Sequence, residues 1–148
     1  MSKLVFLSGA ISGITSEEAY QWRSDMKNQI ETLEAGWKAF NPMDHFDINS
    51  LYCQSRYGSN EKMDDLAFDI DLAKLRKSDV VICDMSRPSL GTAAELGIAH
   101  ELRIPIVGIC PENKRGDLHP WWKHFATYLA KDYEDAMIFF VDHFINND

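Results

Sequence analysis

Asp71 and Glu95 are the two acidic side chains of this 148-residue chain whose neighbours point to chemistry rather than to solvent. Glu95 lies in Pro88-Ser89-Leu90-Gly91-Thr92-Ala93-Ala94-Glu95-Leu96-Gly97, directly after Asp79-Val80-Val81-Ile82-Cys83-Asp84-Met85. The β-branched run reads as a buried strand, Pro88 and Gly91 as a tight loop, and Thr92 as the start of a helix. Such a junction sets backbone N–H groups and one carboxylate at the carboxyl edge of a parallel sheet, where open α/β folds bind ligands. Asp71 stands mid-helix beside Ile70, one turn from Ala67 and Leu75, at the edge of an apolar stripe. A carboxylate there needs a partner or a task, whereas Asp64, Asp65 and Asp69 read as a solvated face. Two carboxylates facing one crevice, one ionised and one able to carry a proton, are the minimal set for cleaving a glycosidic bond. A plainer reading stands beside it. Thr92-x-x-Glu95 is also a capping box, in which Glu95 only reaches back to the start of its own helix. The residues alone leave both open.

Other candidates are thinner. Ser8-Gly9-Ala10-Ile11-Ser12-Gly13 joins the first strand to the first helix, the usual place for a phosphate or ribose contact. It is neither a G-x-G-x-x-G nor a P-loop, and most small-residue loops are merely turns. His119 and His124 are five residues apart across Pro120, poor geometry for a shared metal, so no metal and no cofactor is expected. No G-x-S-x-G elbow supports a serine triad. Trp121 and Trp122 read as core or subunit interface.

The elements that must position these residues alternate. Leu4–Leu7 is a strand. From Ser16 a helix runs with Ala19, Trp22, Met26, Ile30 and Leu33 on one face, and Gly36 stops it. Trp37–Phe40 is a short strand before Pro42, and Met43 to about Lys62 is a long loop of the kind that walls a substrate site. Met63–Lys77 is a helix with Leu66, Ile70, Ala73 and Leu75 inward. The strand Val80–Met85, a helix from Thr92 to about Leu102 and the strand Ile104–Ile109 follow. A short helix begins near Pro120, and Tyr133–Ile145 closes the chain as an amphipathic helix with Ala136, Phe139, Phe140 and Phe144. The expectation is one domain over residues 1–148: a doubly wound, Rossmann- or flavodoxin-like parallel sheet of about four or five strands flanked by helices.

The net charge of −8, with 23 acidic against 15 basic residues, argues against a nucleic-acid polymer as partner but leaves room for a single nucleotide. Cys53, Cys83 and Cys110 are scattered, without a C-x-x-C pair, which fits a reduced, cytoplasmic setting. No apolar run approaches the ~20 residues of a membrane span, and Met1–Leu7 is too short for a signal peptide.

Taken together, these stretches resemble the nucleoside 2-deoxyribosyltransferase family over nearly the whole chain. The resemblance rests on Leu7–Gly13, on Asp71-Leu72 eight residues before Asp79, and above all on Pro88-Ser89-Leu90-Gly91 leading to Glu95-Leu96-Gly97. Pro-Ser-Leu-Gly, with Asp132-Tyr133-Glu134 before the last helix, is especially similar to the branch of 2'-deoxynucleoside 5'-monophosphate N-glycosidases. The resemblance implies a retaining two-step reaction, with Glu95 attacking C1' and Asp71 protonating the leaving base. It implies substrate contacts from Ser8, Gly9, Ile11, Ser12, Ser89 and Gly91, and a base-stacking His45. It also implies nucleoside or nucleotide and nucleobase ligands and a homo-oligomer.

Three departures bear on substrate. Phe6 stands where the family often has a tyrosine aimed at the nucleophile, so that hydrogen bond is expected to be missing. Ser89 replaces an acidic residue of the transferases, which leans towards the nucleotide hydrolases. Ser12 replaces the phosphate-binding arginine of those hydrolases, which leans back. The acidic balance favours transfer between nucleosides, with monophosphate hydrolysis as the alternative. A rival from another class is a non-catalytic nucleotide-binding sensor in which Glu95 is a cap.

Overall fold

β-branched and aliphatic runs buried on both faces pair most readily as parallel strands between helices. The computed structural model describes residues 2–11, 13–45 and 61–147, of which 45 and 61–66 by backbone alone. In chain order they form β1 (Lys3–Ser8), α1 (Ser16–Thr32), β2 (Trp37–Phe40), a 3-10 turn (Pro42–His45), α2 (Glu61–Lys77) and β3 (Val80–Asp84). Then come α3 (Leu90–Glu101), β4 (Ile106–Ile109), a second 3-10 turn (Glu112–Asp117), α4 (Pro120–Phe125), β5 (Tyr128–Ala130) and α5 (Tyr133–Phe140). A π-helical turn, Val141–Ile145, extends α5. The five strands lie in the order β2-β1-β3-β4-β5, every pair parallel, as the doubly wound reading expects. The order reverses between β1 and β3, and it is at such a switch point that a crevice opens beyond the strand ends.

The period of two along each strand sorts the core into two layers. Val5 and Leu7 of β1 and Ile82 of β3 face one side, packed with Met26 and Ile30 of α1 and Phe140 of α5. Phe6, Val81 and Cys83 face the other, packed with Leu75 of α2, Leu96 and Ala99 of α3 and Trp122 of α4. Both faces of β1 and β3 are thereby sealed, and only their carboxyl ends remain for chemistry.

Several boundaries shift from the sequence reading. On α1, Ala19, Met26 and Ile30 are buried as expected, but Leu33 is 40% exposed while Arg23 is 1% exposed. Gly36 turns the chain with φ +82°, which a side chain would disfavour. α2 starts at Glu61 and buries Leu75, with Ile70 half-buried; Ala73 faces solvent. Leu66 lies outside the described side chains. β4 begins two residues later than expected, at Ile106, and β5 is a short strand that its three residues did not announce. No helix among the described residues is long and apolar enough to cross a membrane.

Candidate active site

The site begins at the last residue of β1. Ser8 is fully buried and donates its hydroxyl to Glu95 Oε1 at 2.7 Å, across 87 residues of sequence. Register explains the meeting. Ser8 pairs with Cys83 on β3, so the end of β1 lies beside the loop that launches α3. Phe6 cannot supply this bond: its ring is buried against Phe40, with centroids 5.5 Å apart. The hydrogen bond from position 6 is absent, and a different residue of the same strand makes one to Glu95. That residue is Ser8, two positions further along β1 on the same face of the sheet.

The capping-box reading of Glu95 fails on geometry. α3 starts at Leu90, and its N-cap is Ser89, with extended backbone and Oγ accepting from Thr92 N–H at 3.3 Å. Thr92 is inside the helix, and its Oγ1 is buried without a partner among the described residues. Glu95 sits one turn beyond the position that could reach the helix start. Helical side chains lean towards the N-terminus of their helix. Here that lean carries the carboxyl to the sheet edge instead of to the cap.

Electrostatics then single out this carboxyl. Burial pushes Glu95 up to about 7. The Ser8 hydrogen bond works against that, the negative charge of Asp71 adds to it, and the positive charge of Arg23 opposes it. Asp71, half-buried on α2, is thus close enough for the two carboxylates to feel each other. A carboxyl poised near neutrality beside a second one is suited to nucleophilic or proton-transfer work. The pressure against ionisation falls on Glu95, chiefly through burial.

Arg23 is the residue that sequence reasoning missed. Its guanidinium donates to Ala19 O (2.7 Å), Gly9 O (2.7 Å) and Leu7 O (3.2 Å), beneath the carboxyl end of β1. The signal was present: residues 19, 23, 26 and 30 recur at helical spacing, and a charge on that stripe has to be buried. Gly9 is fixed by the same packing, since a Cβ there would meet Trp22 at 3.0 Å and Asp84 Cβ at 3.4 Å.

The remaining expected contacts do not all converge on Glu95. Gly9 is tied to Arg23 through its carbonyl, Ile11 is half-buried in the β1–α1 loop, and Gly91 is exposed in the first turn of α3. Ser89 lines a cleft of about 880 Å³ with Leu90, Ala93, Leu118 and Trp122, and Glu95 is not among the residues lining it. A second cleft of about 390 Å³ is walled by Trp22, Tyr133 and Asp84, again without Glu95. Ser12 and the side chain of His45 lie outside the described residues.

Comparison with known proteins agrees with this architecture. Residues 5–133 match the family model described as nucleoside 2-deoxyribosyltransferase. Among solved structures, a 2-deoxyribosyltransferase from Bacillus psychrosaccharolyticus superposes with a TM-score of 0.67 at 14% identity, over 89% of this chain and 88% of that one. A 2-desoxiribosyltransferase from Leishmania mexicana gives 0.62 at 20% identity, over 97% and 99%. A conserved protein from Enterococcus faecalis gives 0.54 at 19%, over 87% and 82%. At these identities the likeness shows the fold. A comparison with curated protein sequences returned no match.

Proposed function

The chain belongs to the nucleoside 2-deoxyribosyltransferase family, and from that premise we propose that it cleaves the N-glycosidic bond of 2'-deoxynucleosides and passes the sugar to an acceptor base. The Glu95 carboxylate attacks C1' while the C1'–N bond breaks, and Asp71 gives its proton to the departing base. The acceptor base then attacks C1', its N–H proton goes to Asp71, and the ester to Glu95 breaks, restoring the carboxylate. Splitting one displacement into two is the standard gain of covalent catalysis. Every proton in this scheme is carried by a side chain or a base, so the cycle closes without a cofactor.

The observation that carries the reading is the 2.7 Å bond from Ser8 to Glu95 Oε1. It holds one oxygen of the nucleophile and leaves the other for C1'. A second reading, hydrolysis of deoxynucleoside 5'-monophosphates, draws on Ser89. Its oxygen caps α3, yet its own proton is left to donate to a phosphate as readily as to a 5'-hydroxyl.

Incubation with deoxyuridine or deoxyinosine plus adenine tests the scheme. Deoxyadenosine in the product, and a deoxyribosyl adduct on Glu95 by mass when the acceptor is omitted, are expected. Deoxyribose alone, or release of base only from monophosphates, selects hydrolysis. Absence of product and adduct with both nucleosides and monophosphates removes the enzymatic reading.

A further inference from the structure

Ser8 aims at Glu95 only if its backbone is held, and one side chain holds it from both sides. Leu7 O and Gly9 O, the carbonyls before and after Ser8, both accept from the Arg23 guanidinium. These carbonyls belong to the Leu7–Ser8 and Gly9–Ala10 peptide units, so the Ser8–Gly9 unit between them is confined from both ends. A lysine would do this less well, because its compact ammonium lacks the rigid planar fork that aims separate N–H groups at two fixed acceptors. The fork is itself held. The Trp22 ring lies over the guanidinium at 4.8 Å, Tyr133 stacks on Trp22 at 5.7 Å, and Tyr133 Oη donates to Asp84 Oδ2 at 2.6 Å.

The charge of Arg23 is as unusual as its geometry. Among the described residues no carboxylate forms an ion pair with it, and its hydrogen bonds go to neutral carbonyls. A buried cation so placed acts on whatever acid lies across the sheet edge. Burial lowers its affinity for a proton, and the groups that oppose this are Glu95 of α3 first, then Cys83 and Asp84 of β3 and Tyr133 of α5.

We infer that Arg23 is a positioning residue for the nucleophile: it braces the chain on either side of Ser8 and sets a buried positive charge near Glu95. The inference rests on the reading of Glu95 as the nucleophile. Arg23 touches no substrate in this scheme; it keeps Glu95 aimed through Ser8 and favours its ionised form.

The test compares Arg23→Gln, Arg23→Lys and Glu95→Gln with the parent in base exchange, each checked for folding by its thermal melt. Arg23→Gln is expected to lower kcat on the order of tenfold to a hundredfold, with KM within about threefold. It is also expected to move the acid limb of the kcat profile upward by about half a pH unit or more. Arg23→Lys keeps the charge and loses the fork, so its limb stays in place while kcat falls part of the way. A folded Arg23→Gln with parental kcat and parental limb overturns the inference. If Arg23→Gln does not fold, Arg23→Lys decides, and a folded variant with parental kcat overturns it. Activity retained by Glu95→Gln instead overturns the nucleophile reading beneath it, so the two failures are told apart.

Discussion

Of the described carboxylates that accept a hydroxyl hydrogen bond, Asp135 and Glu95 respond in opposite directions. Asp135, in the first turn of α5, accepts from Tyr128 Oη at 2.8 Å and from Lys131 N–H at 3.0 Å. Its pKa is lowered, chiefly by the Lys131 N–H, with burial opposing and Tyr128 assisting. Glu95 accepts from Ser8 at 2.7 Å, yet it is raised, because burial outweighs the bond. A hydroxyl bond therefore does not reveal what a carboxylate is for. The surroundings do. Where solvent and backbone donors favour the charge, the group serves the fold; where the charge is disfavoured and only partly compensated, it is available for reaction.

The sharpest way to break this contrast is to neutralise each group. Glu95→Gln is expected to cost at least ~10³-fold in kcat of base exchange while the chain stays folded. Asp135→Asn is expected to leave kcat within about twofold, because it alters a helix start and not the site. Comparable losses in both, measured under the same conditions, erase the distinction.

Stability against pH is the next test, and the signs differ. The folded form of Glu95 has a raised pKa. Its contribution is fully present below the unfolded value and disappears as pH rises through about 7. Glu95→Gln is thus expected to be neutral near pH 4 and stabilising near pH 8, on the order of 1–3 kcal/mol. For Asp135 the folded value is lowered, so its contribution exists above the unfolded value and is lost on acidification. Asp135→Asn is expected to lower Tm near neutrality and to converge on the parent in acid. Melts across that range read both.

Ser8→Ala probes the bond itself. Without the donor, Glu95 rises further, so the acid limb of kcat moves up by about one pH unit and kcat at neutral pH falls about tenfold. An unmoved limb means that the bond is decorative. The smallest effect belongs to Ser89→Ala, which removes the α3 cap and costs ~1 kcal/mol, or about 2–4 °C in Tm, with the acid limb unchanged.

The fold was largely legible because its strands are apolar runs, and β1, β3 and the core of β4 declare themselves at once. Asp71 and Glu95 were legible as acids beside apolar stripes. The cap was not, because Ser89 and Thr92 are both able caps within three residues, and only the observed turn decides between them. Ser8 was read as loop rather than strand end, which hid its aim. Arg23 was masked by its charge: periodicity placed it inward, and habit places arginine outward. β5 is too short to carry a pattern of its own.

The long reach of the Ser8–Glu95 contact has a temporal consequence. β1 precedes its neighbour β3 in the chain, and even the brace from Leu4 N–H to Asp79 spans 75 residues. At cellular elongation rates the ribosome takes roughly 4–15 s to cover that stretch. Until then the edge of β1 that takes β3 has no partner, and no nascent chain that stops short of Glu95 can form the pair. The first residues made are among the last to become useful.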